Sequence, residues 1–201
     1  MGVAGIMLGL LAGWIIGSQQ AVPARLEPAP AQAASAPPGQ QQAPPALDEA
    51  AAAKLKSAAD ANPGDAATRI QLGNLYFDSG RFDDASRWYA AALEIEPRNV
   101  DASTDLGIAY YYMNQPDRAL AQFERSLAVD PKHSKTLLNI GIVRAWGKQD
   151  LEGAAKAWQR VIDVAPGSEE ASRAKQGLEG IRSAHPDSTQ PAAPKSPGSS
   201  N

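Results

Sequence analysis

Four prolines set a ruler along the middle of this 201-residue chain: Pro63, Pro97, Pro131 and Pro166, spaced by 34, 34 and 35 residues. A fixed period of that length means stacked copies of one small unit, and it constrains the fold before any local pattern does. The same spacing recurs inside the units. Leu72-Gly73 is matched by Leu106-Gly107 and Ile140-Gly141, and three residues beyond each glycine stand Tyr76, Tyr110 and Arg144. Ala85, Ala119 and Ala154 follow, each with an aromatic residue four positions on (Tyr89, Phe123, Trp158), then Ala92, Ser126 and Val161 before the closing proline. Turn-forming residues at Ser79-Gly80, Asn114-Gln115-Pro116 and Gly147-Lys148 split every unit into two helices.

Leu-Gly, Tyr, Ala, aromatic, Ala and Pro in a 34-residue helix-turn-helix is a pattern that resembles the tetratricopeptide-repeat (TPR) family. The resemblance implies an all-α solenoid of three repeats at 66–99, 100–133 and 134–168. Helices at 47–61 and 168–182 would cap its ends, giving a domain over 47–183. Each recurring residue then has a packing role. The glycines sit where paired helices come closest, the alanines do the same on the second helix, and the aromatic rings fill the space between neighbouring repeats. Three departures stand out. The bulky residue expected early in each unit is Arg69, Ser103 or Leu137, Arg144 replaces the tyrosine, and the third unit carries one extra residue, expected in its turn around Gly147 to Gly153.

The flanks have a different composition. Residues 2–17 (GVAGIMLGLLAGWIIG) contain no charge. As a helix they would span ~24 Å against the ~30 Å of bilayer hydrocarbon. The expectation is a membrane-spanning anchor over 1–17, with a cleaved signal peptide as the alternative. Gly5, Gly9, Gly13 and Gly17 recur every fourth residue, a ridge suited to self-association of helices in a membrane. Residues 18–46 are dominated by Pro, Ala and Gln, and read as a disordered spacer; 184–201 read as a disordered tail. The spacer is of a kind seen in bacterial periplasmic proteins, placing the repeats outside an inner membrane. The lone Arg25 after the span points the other way.

Composition excludes several functions. The chain has no cysteine, so thiol chemistry and Cys-ligated metals are ruled out. The net charge is -3 and the basic residues are scattered, so no stripe matches a nucleic-acid backbone. His133 and His185 belong to no catalytic set, no cofactor motif is present, and an enzyme is not expected.

What remains is a binding module for a protein or peptide. In the TPR family the first helix of each unit lines the concave groove. Carried onto this sequence, the groove presents Ile70, Gln71, Asn74 and Phe77 from the first unit. The second contributes Thr104, Asp105, Ile108, Tyr111 and Tyr112, and the third Lys135, Leu138, Asn139, Ile142 and Trp146. Aromatic rings beside amides suit recognition of an extended peptide. Asn74 and Asn139 are the expected partners for its backbone. Ile70 and Asn139 occupy positions where TPR receptors of chaperone tails carry Lys and Arg, which argues against that role. An anchored TPR protein also resembles the NrfG-type factors of cytochrome c maturation. The competing reading is a structural oligomer with no peptide client.

Overall fold

A computed structural model describes residues 44–184 of the chain. The anchor, the glycine ridge, nearly all of the spacer and the tail beyond Ala184 lie outside the described residues. Eight α-helices occupy this region: α1 (Glu49–Ala61), α2 (Ala66–Asp78), α3 (Phe82–Ile95), α4 (Val100–Tyr112), α5 (Pro116–Val129), α6 (Ser134–Ile142), α7 (Leu151–Val164) and α8 (Glu169–Ala184). Among the described residues there is no strand, and no helix is long and apolar enough to cross a membrane.

The proline ruler is visible as four equivalent turns. Each proline directly follows a helix C-cap: Asn62, Glu96, Asp130 and Ala165. The carbonyl of that C-cap accepts the amide of the residue three positions on: Asp65 (3.1 Å), Asn99 (3.0 Å), His133 (3.3 Å) and Ser168 (3.1 Å). Proline is well suited to the second position of such a turn because its φ is already set and its missing N–H is not needed there. The residue that closes the turn also begins the next helix. Asp65, Asn99 and Ser168 accept the amides of Thr68, Ala102 and Ala171 through their side chains, each satisfying a helix N-terminal donor that would otherwise lack a partner.

Within each unit the paired helices meet at the glycine. A Cβ at Gly73 would sit 2.5 Å from the Tyr89 ring, and one at Gly107 2.5 Å from the Phe123 ring. At Gly141 the Trp158 indole comes closer still. The sequence reading placed these rings between neighbouring repeats. The structure also lays each across the glycine of its own unit. Tyr89 shares a core cluster with Leu106 and Ala109 of the next unit, Phe123 shares one with Ile140 and Val143, and Trp158 reaches forward to Gly177 of α8. The indole N–H donates to the Leu138 carbonyl at 3.2 Å, so a buried polar group is satisfied. Ala85, Ala119 and Ala154 are fully buried, as the small-residue positions require.

The departures each have a structural counterpart. Leu137, the bulky residue of the third unit, is fully buried. At the corresponding place Arg69 turns back to donate to the Asp65 carbonyl at 2.8 Å. Ser103 builds a buried polar knot instead: Gln122 Nε2 and the Ser126 hydroxyl each donate to Ser103 Oγ at 2.8 Å. Beside that knot a cleft of about 370 Å³ opens between α3 and α5, walled by Leu93, Leu106 and Tyr110.

The extra residue of the third unit does not lie in its turn. All three intra-unit turns have three residues, 79–81, 113–115 and 148–150, with a left-handed residue in the middle (Gly80, Asn114, Gln149). The insertion is absorbed upstream, where Val143–Gly147 wind as a π-helix and the Lys148 amide reaches back five residues to the Val143 carbonyl at 3.0 Å. A π-turn takes up one residue without breaking the helix, and such turns often coincide with functional positions.

Candidate binding groove

The first helices of the three units stand side by side, and side chains tie them together. Phe77 of α2 meets Tyr112 of α4 edge-on, with ring centroids 5.2 Å apart. Lys135 of α6 reaches Asp105 of α4 at 2.7 Å. The face these helices share is therefore aromatic at one end of α4 and ionic nearer its beginning.

The aromatic end is a cluster. Phe82, the first residue of α3, stacks on Tyr112 at 4.6 Å and meets Phe77 edge-on at 5.1 Å. Tyr111 lies 6.0 Å from Tyr112. All four rings are half-buried. Phe82 was not among the expected groove residues, because it belongs to a second helix. Its place immediately after the Gly80 turn was the signal available.

The polar part is laid out by buried groups. The Tyr89 hydroxyl donates to Asn74 Oδ1 at 2.7 Å. Burial, reinforced by the carboxylates of Asp105 and Asp78, pushes the Tyr89 phenol well above its ordinary pKa, so it stays a donor at any physiological pH. Asp105 is also lifted above the usual carboxylate range by burial, with the Lys135 ammonium pulling the other way. Further along the seam, the fully buried Thr104 and Thr136 hydroxyls are 2.6 Å apart. His133 Nδ1 lies 2.7 Å from Thr136, and its Nε2 3.4 Å from Asp101. His133 is thus a member of an inter-unit polar seam.

The expected groove residues divide on burial. Gln71 and Asn74 are exposed, and Ile70, Phe77, Asp105, Ile108, Tyr111, Tyr112, Lys135 and Asn139 are half-buried. Trp146 is exposed at 37%, on the π-helix, with its ring tilted against Trp158 at 5.7 Å. Three of the expected residues are corrected. Thr104 is held in the α4–α6 seam by its hydroxyl, and Leu138 and Ile142 are buried in the core cluster around Trp158, so none of the three offers its side chain to a ligand. Of the two asparagines expected to hold a peptide backbone, Asn74 already accepts from Tyr89 and Asn139 donates to the Lys135 carbonyl at 2.8 Å.

Residues 73–114 match the TPR repeat family model, and residues 104–169 match the tetratricopeptide repeat model. The repeats are tetratricopeptide repeats. Among curated proteins nothing matches the chain. Among solved structures the TPR domain is similar to MamA, at 21% identity and a TM-score of 0.56, over 64% of this chain and 75% of that one. It is also similar to the first TPR of Spaghetti (RPAP3) bound to an HSP90 peptide, SRMEEVD, at 27% identity and a TM-score of 0.54, over 59% of this chain and 91% of that one. The first TPR domain of human RPAP3 aligns at 25% identity with a TM-score of 0.51, over 60% and 97% of the two chains.

Proposed function

We propose that this protein is a non-enzymatic interaction module whose TPR groove holds a polypeptide segment of neutral or basic character. The observation that carries the charge preference is the Lys135–Asp105 pair, 2.7 Å long and partly shielded from solvent. The Spaghetti domain is bound to a peptide ending in Glu-Glu-Val-Asp. In this groove the ammonium best placed to meet an acidic tail is already neutralised, and Asp78 on α2 and Asp101 on α4 add negative charge. An acidic segment would have to displace Asp105 and leave a half-buried carboxylate without its cation, which is costly. A neutral or basic segment meets no such penalty, and the rings of Phe77 and Tyr112 supply flat apolar area at low entropic cost.

Tethering of this module to a bacterial inner membrane by residues 1–17, with the repeats on the periplasmic side, is part of the proposal. It is supported by the uncharged run and by the Pro/Ala/Gln composition that follows. A pull-down from membranes with the full chain tests the groove, using Tyr112→Ala/Asn139→Ala as the comparison. Loss of captured partners in the variant, with its helicity unchanged, is the expected result. Retention of every partner would rule the groove out as the binding face.

A further inference from the structure

The aromatic cluster has a polypeptide already leading to it. Just before α1 and at its first residue, the chain is fixed against the first unit at three points. The Pro44 ring packs on the turn at Gly80, where a Cβ would come within 3.0 Å of Pro44 Cγ. Leu47 packs against the core cluster around Leu72 and Tyr76, and Glu49 lies 3.7 Å from Arg81. Gly80 is two residues before Phe82, so Pro44 packs on the turn that leads into the Phe77–Phe82–Tyr112 patch.

The sequence immediately before Pro44 has the chemistry that such a patch accepts. Residues 28–43 (PAPAQAASAPPGQQQA) carry no charge and include Pro28, Pro30, Pro37 and Pro38. Proline-rich chain favours the polyproline II form, which is recognised by grooves lined with aromatic rings because little entropy is lost on docking. An uncharged segment also brings no carboxylate toward Asp78 and Asp105 and does not compete for Lys135. Its reach is sufficient. Pro37 lies seven positions before Pro44, about 22 Å of polyproline II chain at ~3.1 Å per residue, longer than a patch whose ring centroids are 4.6 to 5.2 Å apart. Because the segment is tethered, its effective concentration is on the order of millimolar, so even a weak contact is populated.

We propose that residues 28–43 dock in the same molecule as a polyproline II segment on the patch formed by Phe77, Phe82 and Tyr112. An external client of the groove then competes with the chain's own spacer for Tyr112. The contact itself does not depend on any client.

Proton NMR of the full chain tests this. The expected result is that the ring protons of Pro37 and Pro38 are shifted upfield by the aromatic rings and show NOEs to Tyr112, and that both persist on tenfold dilution. In Tyr112→Ser the proline shifts return to random-coil positions while core methyl signals near Phe123 stay in place. Random-coil proline shifts in the unmodified chain would overturn the proposal without reference to any variant. Shifts that fade on dilution would also overturn it, since they would identify contact between molecules.

Discussion

Lys135 Nζ lies 2.7 Å from Asp105 Oδ1, and this pair joins the first helices of the second and third units. Burial nevertheless lifts the Asp105 pKa more than the ammonium lowers it. The folded state therefore holds the Asp105 proton more tightly than the unfolded chain does. That contribution to stability is complete below the unfolded carboxylate pKa and is lost as pH rises through the higher folded value. Asp105→Asn removes the cost of the buried charge and should leave stability at pH 7 unchanged or slightly higher, by less than about 1 kcal/mol. Its advantage should shrink as pH falls below the window. Urea denaturation of both proteins at pH 7 and pH 4 measures this, and a clear loss of stability in the variant at pH 7 would contradict it.

Glycine substitutions should separate packing from helix propensity. Gly107→Ala forces a methyl group into the Phe123 ring and should cost about 1–3 kcal/mol. Gly141→Ala should cost at least as much, because it also disturbs the indole that bonds to the Leu138 carbonyl. Gly180, on α8, has nothing within 4 Å of the same position, so Gly180→Ala should stabilise by up to ~1 kcal/mol. Thermal unfolding of the three variants gives the ranking directly.

The Ser103 knot predicts strong coupling. Ser103→Leu adds apolar volume beside the open cleft but removes the acceptor for Gln122 and Ser126. The Ser126 hydroxyl keeps the Gln122 carbonyl at 3.3 Å as an acceptor, so the single change should cost about 1–3 kcal/mol, chiefly for the unsatisfied Gln122 amide. Ser103→Leu/Gln122→Leu/Ser126→Ala should recover most of that loss, a non-additivity that chemical denaturation of the full set of variants can quantify.

Removing one residue from the π-helix tests its role in presenting Trp146. Deletion of Arg144, whose Nε is buried with no hydrogen-bond partner among the described residues, restores a 34-residue spacing. The domain should still fold, and the deletion should turn Trp146 by roughly 100° about the helix. Tryptophan emission should move to shorter wavelength as its 37% exposure falls. An unchanged spectrum in a folded deletion variant would mean that the π-helix does not set the exposure of this ring.

The repeat architecture was legible because the period, the turns and the small-residue positions all depend on residues that cannot be exchanged freely. A proline after a helix end and a glycine beneath an aromatic ring leave a direct trace in sequence. The groove was less legible. Periodicity puts Thr104, Leu138 and Ile142 on the same helices as exposed residues, but whether a side chain at the margin of a face is covered depends on how far the neighbouring helix leans over it. Phe82 was missed because a ring on a second helix can curl around the turn to join the first. The π-helix was missed for a related reason. A one-residue insertion is visible in the spacing, but either the turn or the helix can absorb it, and only backbone hydrogen bonds distinguish the two.

The four proline turns carry a further consequence. Since each ties the end of one helix to the residue just before the next unit's first helix through a single local hydrogen bond, the phase of every unit is reset at its own boundary instead of accumulating error along the chain. The protein therefore has natural splice points. A copy of residues 100–133 inserted after Pro97-Arg98-Asn99 would find a matching turn at both ends, and the groove would lengthen by one unit with its other contacts still in register.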